Sequence, residues 1–407
     1  MFSSKLAFVL TAVGAAVGLG NVFRFPYLAM KYGLSFVLVY ILFLCLLGLP
    51  LLLSEIAFGR GFAFKKTDRK TALLSRFCSF NSFFVFGYYT LLFAFVIMAA
   101  VGSLGGNFSA LSALSEGSSS GGHAVNILFL IFAFAAALFC FGDAKRIGTI
   151  STVSVIISLL IIACLAVFRA ILFPESLTPL FRVDFSFFAD INFWFDALSQ
   201  VFFSLSVAIG VLTAYGGLLK KGESIVLCGI YIAAIDLLVS LFAAVIYATV
   251  GGRVDGLFDS FSVYPKAFFE LGSAGPFLCF LFYISLGFLC LDSVVSFLKS
   301  SVCFLFPKRV KNEGAAAVIL SLVAFIFALV LLLLGARDSI SFVDGKITPT
   351  LILLGGLSLT IIFSKREIFT SVKAELGLGK FSRIFRVLVC RIAPVFIIFL
   401  LAAQIFL

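Results

Sequence analysis

The sequence predicts an all-α membrane protein of eleven transmembrane helices, built as a 5+5 inverted repeat with discontinuous helices 1 and 6. Three observations carry that expectation. Of the 407 residues, 62% are hydrophobic and only 12% are charged, whereas about a quarter of a soluble domain is charged. Apolar runs long enough to span a bilayer recur from end to end. Two of these runs, five spans apart, are interrupted by residues that a plain membrane helix does not carry.

The expected spans cover about 5–30, 34–58, 80–104, 124–141, 147–172, 193–219, 224–250, 276–304, 314–335, 347–364 and 384–406. The first holds Gly14, Gly18, Gly20, Asn21, Arg24 and Pro26. Gly weakens a helix and Pro removes a backbone donor. Opened backbone at bilayer depth is tolerated only where it is buried in protein or lines a wet cavity. Such a break is a ready ion and substrate site. A glycine face packed on a neighbouring helix would explain the glycines, but not Asn21 and Arg24, which are costly in hydrocarbon. The second interruption is Phe202-Phe203-Ser204-Leu205-Ser206-Val207-Ala208-Ile209-Gly210 in span 6. Five being odd, the second repeat enters the membrane from the opposite face. Little residue identity joins the halves, so the repeat is read from span positions: about 5–172, then about 193–364, with an additional helix at about 384–406. All of it forms one transporter-like membrane domain over 1–407. The first run is too long for a signal-peptide core and lacks a small-residue cleavage site.

Lys and Arg set the orientation. Lys5 and the segments after the even-numbered spans hold 21 basic residues, against six in the opposite loops: Arg169, Arg182, Arg253, Lys266, Arg337 and Lys346. The N-terminus is therefore expected in the cytoplasm and, after eleven spans, the C-terminus outside. The 103–123 segment, without Lys or Arg, is then extracellular. This distribution makes the net charge of +11 a matter of topology, so no nucleic-acid partner is expected. The nine cysteines form no C-x-x-C pair, and the single histidine, His123, lies in a Ser/Gly-rich loop. Neither a metal set nor a disulfide framework is expected. Within apolar runs, Asp236 in span 7 and Asp292-Ser293 in span 8 are candidate functional groups. The alternative for each is a helix-packing hydrogen bond. Two carboxylates with freed carbonyls and Ser/Asn oxygens suit two hard cations such as sodium.

Gly18-Leu19-Gly20-Asn21-Val22-Phe23-Arg24-Phe25-Pro26-Tyr27, followed by Gly48-Leu49-Pro50, Glu55 and Gly59-Arg60, closely resembles the neurotransmitter:sodium symporter family, in its bacterial amino-acid branch with the LeuT-type fold. The resemblance continues through Gln200 to Ser206, Tyr264-Pro265-Lys266-Ala267 and Leu291-Asp292-Ser293, and covers nearly the whole chain. It implies a sodium-coupled symporter that imports a neutral, hydrophobic or aromatic amino acid by alternating access, and no enzyme. The first sodium site it implies is Ala16, Asn21, Ser204 and Asp236, completed by the substrate carboxylate. The second is Gly14, Val17, Leu289, Asp292 and Ser293. Gly18 stands where monoamine carriers have an aspartate, which points to a substrate bringing its own carboxylate. That carboxylate would meet sodium, the amides of Leu19 and Gly20, and the Tyr89 hydroxyl, with half-helix amides favouring an anion. The amino group would meet Ala16, Phe203, Ser204 and Ser206. Val85, Tyr89, Phe203, Ile209, Ser293 and Phe297 would form the side-chain pocket. Arg24 and Asp344 align with the outer gate, with Phe203 as lid; for Arg24 a snorkelling helix-end cation is the alternative.

Tyr40, Gln200, Ser204 and Ser240 match the chloride ligands of animal members, but the nearby Asp236 would repel a second anion. Chloride independence is favoured. The family's inner gate does not carry over: Phe2 stands near a family Trp, the Arg ahead of it has no counterpart, and its Asp partner aligns with Pro307. The expected setting is a bacterial inner membrane, as monomer or homodimer. Two rivals remain at this point, proton coupling through Asp236 or Asp292 and a non-transporting amino-acid receptor. A membrane enzyme would need a nucleophile–base pair or metal set that the chain does not offer.

Overall fold

Long apolar stretches have one way to satisfy their backbone inside a bilayer, which is to close every hydrogen bond within the helix. The computed structural model follows that rule. It describes residues 1–62, 68–106, 108–117, 122–251, 258–305, 312–377 and 379–406, and every regular element among them is helical. Lys65, Lys66, Arg253, Pro307, Lys308, Arg309 and Lys311 lie outside the described residues, and with Pro307 the position corresponding to the inner-gate partner.

The helices are α1 (Lys5–Ala16), α2 (Gly20–Tyr32), α3 (Leu34–Gly61), α4 (Arg69–Leu104), α5 (Phe108–Ser115), α6 (Gly122–Cys140), α7 (Ala144–Leu172), α8 (Ile191–Ser204), α9 (Val211–Gly216), α10 (Ile225–Ala248), α11 (Ser260–Phe269), α12 (Gly275–Leu305), α13 (Glu313–Leu333), α14 (Ala336–Ser364), α15 (Arg366–Leu376) and α16 (Gly379–Gln404). Short polar residues cap their starts. Asp68 accepts from Thr71 N (3.3 Å), Asp143 from Arg146 N (2.9 Å), Asp190 from Asn192 N (2.9 Å) and Asn312 from Ala315 N (3.2 Å), each satisfying an amide that the helix leaves free.

Among the described residues nine helices are long and apolar enough to cross a membrane, and the α1–α2 pair, bent by 66°, makes a tenth. At the sixth expected span the chain forms α8 and α9, each too short for that test, with 205–210 between them. Two boundaries differ from expectation. Helix α4 starts at Arg69 rather than 80, and α14 at Ala336 rather than 347. Arg69, Lys70 and Arg76 in one case, and Arg337, Asp338, Asp344 and Lys346 in the other, lower the hydropathy of turns that the backbone nevertheless winds as helix.

Ile319, Leu322, Ile326, Val330 and Leu333 recur every three or four residues along α13 and are all exposed. An apolar stripe that wide has lipid as its solvent. Polar groups turn inward instead. Helix α1 lies within the bundle against α7, α10 and α12, and α4 runs along α12. Helix α9 meets α3 backbone to backbone: a Cβ on Gly59 would strike the Thr213 carbonyl, and one on Gly216 the Ile56 carbonyl.

Candidate functional site

Both interruptions face one cavity of about 740 Å³. The first opens because α1 ends at Ala16, Val17 turns extended (φ −71°, ψ 119°), and the helix resumes at Gly20. The second has Ser206 (φ 49°) and Ala208 (φ 70°) in the left-handed region beside Gly210 (φ 92°). Left-handed backbone is unfavourable for a non-glycine residue, by about 1–2 kcal/mol, so something must hold it. The Glu55 carboxylate of α3 does, accepting from Ala208 N (3.0 Å), Gly210 N (3.2 Å) and the Thr213 hydroxyl (3.2 Å). The breaks are also tied to each other, since the Ser206 hydroxyl donates to the Ala15 carbonyl at 3.1 Å.

Ala16, Gly18, Leu19, Gly20, Val85, Tyr89, Phe203, Ser206, Ile209, Ser293 and Phe297 all line this cavity. Ser204, expected among the substrate residues, does not. It is 0% exposed and its hydroxyl turns to Asp236. The Tyr89 hydroxyl accepts from Leu19 N at 3.1 Å, and a Cβ on Gly18 would overlap that same hydroxyl. Tyr89 and Phe297 meet edge-on, their centroids 5.7 Å apart. Farther out, Arg24, Asp344 and the exposed Lys346 line the cavity. Arg24 and Asp344 make no ion pair among the described residues. The guanidinium donates to Ser199 Oγ (2.8 Å) and sits 4.8 Å over the Phe203 ring, while Asp344 accepts from the Tyr88 hydroxyl at 3.0 Å.

At the first expected ion site, Asn21 Oδ1 accepts from Gly18 N (3.1 Å), and its Nδ2 lies 2.7 Å from Ser204 Oγ, 2.8 Å from Asp236 Oδ1 and 2.9 Å from Ser240 Oγ. Ser204 also donates to Asp236, with the Tyr40 hydroxyl 3.4 Å from the same oxygen. Of the four expected chloride residues, Ser204 and Tyr40 thus reach the Asp236 carboxylate, and Ser240 joins them through the Asn21 amide and the Asp236 backbone carbonyl. The fourth, Gln200, donates to the Gly20 carbonyl at 3.2 Å. At the second site the Ser293 hydroxyl lies 2.9 Å from the Gly14 carbonyl and 3.1 Å from that of Leu289. Asp292 lies so close that a Cβ on Gly14 would come within 2.8 Å of its own Cβ. Val17 follows at the end of α1, fully buried. Its donor set of carbonyls, a hydroxyl and one carboxylate is the oxygen chemistry a hard cation takes. Among the described residues no group of three or more His, Cys, Asp or Glu side chains could hold a metal ion of another kind.

Sequence reasoning missed five contributors. Glu55 was legible only as part of a motif, although a carboxylate inside an apolar run signals a buried partner set. Ser151 and Ser154 of α7 reach Asp292; their spacing in an apolar run, with Ser158, was the available signal. Tyr88 and Ser199 carried none. At the start of the chain Phe2 is buried against Phe8 (5.6 Å) and Tyr215 (5.5 Å), and the Lys220 ammonium donates to the Ser3 carbonyl at 2.6 Å.

The family model for the sodium:neurotransmitter symporter family matches residues 1–101 and 107–406. An uncharacterised sodium-dependent transporter of Methanocaldococcus jannaschii is 27% identical over 343 residues, which cover 75% of this chain and 70% of the relative. A sodium-dependent neutral amino acid transporter, B(0)AT3 of Rattus norvegicus, is 26% identical over 301 residues, covering 62% of this chain and 48% of the rat protein. Among solved structures, MhsT in complex with L-phenylalanine superposes with a TM-score of 0.82 at 22% identity, covering 99% of each chain.

Proposed function

The chain belongs to the sodium:neurotransmitter symporter family, whose members are transporters and not enzymes, and on that premise we propose that it couples sodium to the import of a neutral amino acid with a hydrophobic or aromatic side chain. The observation that carries the reading is the uncharged lining at the depth of the breaks. Gly18, Leu19, Val85, Tyr89, Phe203, Ile209, Ser293 and Phe297 present no ionised side chain to the cavity. Such a lining offers nothing to pair a charged side chain of the ligand, and leaves the carboxylate and ammonium of an amino acid to the opened backbone and the ion. Two similar proteins, one a neutral amino acid transporter and the other in complex with L-phenylalanine, agree with that chemistry.

On this reading the substrate carboxylate meets the Leu19 and Gly20 amides and the sodium shared with Asn21, Ser204, Asp236 and Ala16. A second sodium lies among Gly14, Val17, Leu289, Asp292 and Ser293. Closure brings Arg24 towards Asp344 over Phe203, and alternating access follows from moving α1–α2 and α8–α9 against the rest. The placing of two breaks five spans apart supports eleven spans in two inverted repeats, about 5–172 and 193–364, with 384–406 added. The basic-residue bias supports an N-terminus inside and, with eleven spans, a C-terminus outside; the resemblance to the bacterial branch supports an inner-membrane setting. Asp236, standing among Tyr40, Ser204 and Ser240, supplies the negative charge that chloride would, so transport is chloride-independent.

Uptake of labelled neutral amino acids into proteoliposomes tests the proposal. An inward sodium gradient should drive accumulation, replacing chloride by gluconate should leave it unchanged, and potassium should abolish it. Accumulation driven by a pH gradient in the absence of sodium would overturn the sodium coupling, and sodium-dependent binding without flux would overturn transport.

A further inference from the structure

We propose that Ser151 and Ser154 are positioning residues that latch α7 onto the second sodium site through Asp292, so that sodium bound there orders the first half of α7 as well as α1. The inference rests on the sodium reading above and extends it to a helix that supplies no expected ligand.

Ser151 and Ser154, 1% and 5% exposed, lie three residues apart and so share one face of the helix. Their hydroxyls donate to opposite oxygens of the same carboxylate, Ser151 to Oδ1 at 2.9 Å and Ser154 to Oδ2. Asp292 is 3% exposed and has no cationic side-chain partner among the described residues. Each carboxylate oxygen accepts along more than one lone pair. The serines therefore fix the group without using up its capacity for a cation. On the other side Asp292 abuts Gly14, whose carbonyl receives the Ser293 hydroxyl. Three helices, α1, α7 and α12, thus meet at one buried negative charge. Two hydroxyls offset only part of the cost of burying it. A cation completing the shell would strengthen the grip of all three helices on the group.

The same seam contains its own control. One turn farther along α7, Ser158 donates to the Ser285 carbonyl of α12 at 3.0 Å. That bond joins the same two helices but touches no charge. A general packing role would make the three serines equivalent, whereas a latch on the ion site separates Ser151 and Ser154 from Ser158.

The test is hydrogen exchange of peptides from 5–16 and 144–158 in the full-length protein in lipid nanodiscs, in sodium and in potassium, beside a sodium-binding titration. In the wild type, sodium should slow exchange in both segments. In Ser151→Ala/Ser154→Ala the effect on 5–16 should remain while that on 144–158 falls below about twofold. The titration sets a saturating sodium concentration for each variant, at which the exchange is compared. Ser158→Ala should behave as wild type, and Ser154→Thr, which keeps the hydroxyl and guards against a misfolded double variant, should retain the sodium effect. The latch is refuted if the double variant keeps full sodium protection of 144–158, or if Ser158→Ala loses as much. Absence of any sodium effect on 5–16 in the wild type would instead bring down the second sodium site, and the latch with it.

Discussion

Removing the Glu55 carboxylate should loosen the second break without touching any residue that lines the cavity. Glu55 is fully buried and is the acceptor for Ala208 N, Gly210 N and the Thr213 hydroxyl. The Thr213 hydroxyl can rotate towards another acceptor; the two amides cannot. Leaving a buried donor unsatisfied costs about 1–3 kcal/mol, so Glu55→Ala should destabilise the 205–210 segment by about 2–6 kcal/mol. Local opening would become roughly 30-fold to 20,000-fold more frequent, at about 1.4 kcal/mol per tenfold. Glu55→Gln keeps one oxygen and sets an NH2 against the other amide. It should lose one bond rather than two, about 1–3 kcal/mol, and fall between wild type and Ala. Hydrogen exchange of peptides spanning 205–213 reads this directly, and substrate binding should weaken in the same order. If exchange in Glu55→Ala stays within about threefold of wild type, the left-handed residues Ser206 and Ala208 are held by something other than this carboxylate, and the reasoning fails.

Three further outcomes follow from the same geometry. Asp236→Asn removes the charge that stands among Tyr40, Ser204 and Ser240, so sodium-driven uptake should fall and should become stimulated by chloride; uptake insensitive to chloride in that variant would contradict the assignment. Gly18→Ala puts a Cβ where the Tyr89 hydroxyl lies and should break its 3.1 Å bond to Leu19 N, raising the substrate Kd by about tenfold or more for the loss of one bond near the ligand carboxylate; an unchanged Kd would show that the hydroxyl is dispensable. Outside the membrane-spanning part, the Lys365 ammonium and the Thr71 hydroxyl hold the Asp68 carboxyl well below the usual carboxylate range. A lowered folded pKa means the pair stabilises above the unfolded value, about 3.9, and the contribution is lost as pH falls through the folded value. Asp68→Asn should therefore lower the melting temperature at neutral pH, and the gap should close only as the pH drops below the ordinary carboxylate range.

How much was legible in the residues depends on whether a signal is local. The break at 14–26 was readable because Gly, Asn, Arg and Pro are each costly in a membrane helix, and the break at 202–210 because its serines interrupt an apolar run. The start of α4 at Arg69 was not, since hydropathy sees the bilayer slab and not the helix that extends beyond it. Within the site, Gly18, Asn21, Asp236 and Asp292 announce themselves by type. Ser204 stands off the cavity lining with its hydroxyl on Asp236, and sequence gives its position in the break but not that rotamer. Ser151 and Ser154 went unread for a different reason, since their spacing alone does not name a partner. A serine in a membrane helix usually satisfies its hydroxyl on its own backbone, as Thr90 does on the Phe86 carbonyl and Ser301 on that of Phe297, and only the fold shows which serines have a distant partner.

The buried carboxylates at the two breaks can be ordered by how fully the protein answers them. Glu55 faces two backbone amides and a hydroxyl, and amides cannot turn away. Asp236 faces the Asn21 amide and two hydroxyls, from Ser204 and Tyr40. Asp292 faces two serine hydroxyls alone. Hydroxyl rotors are the weakest and most easily redirected of these donors. The demand for an added cation therefore rises from Glu55 to Asp236 to Asp292. Glu55 is built as a strut. On the proposed sodium reading, Asp236 needs only a shared ion, and Asp292 is the position where sodium would change most about the surrounding helices. That ordering would put the switch at the meeting of α1, α7 and α12 rather than at the substrate cavity itself.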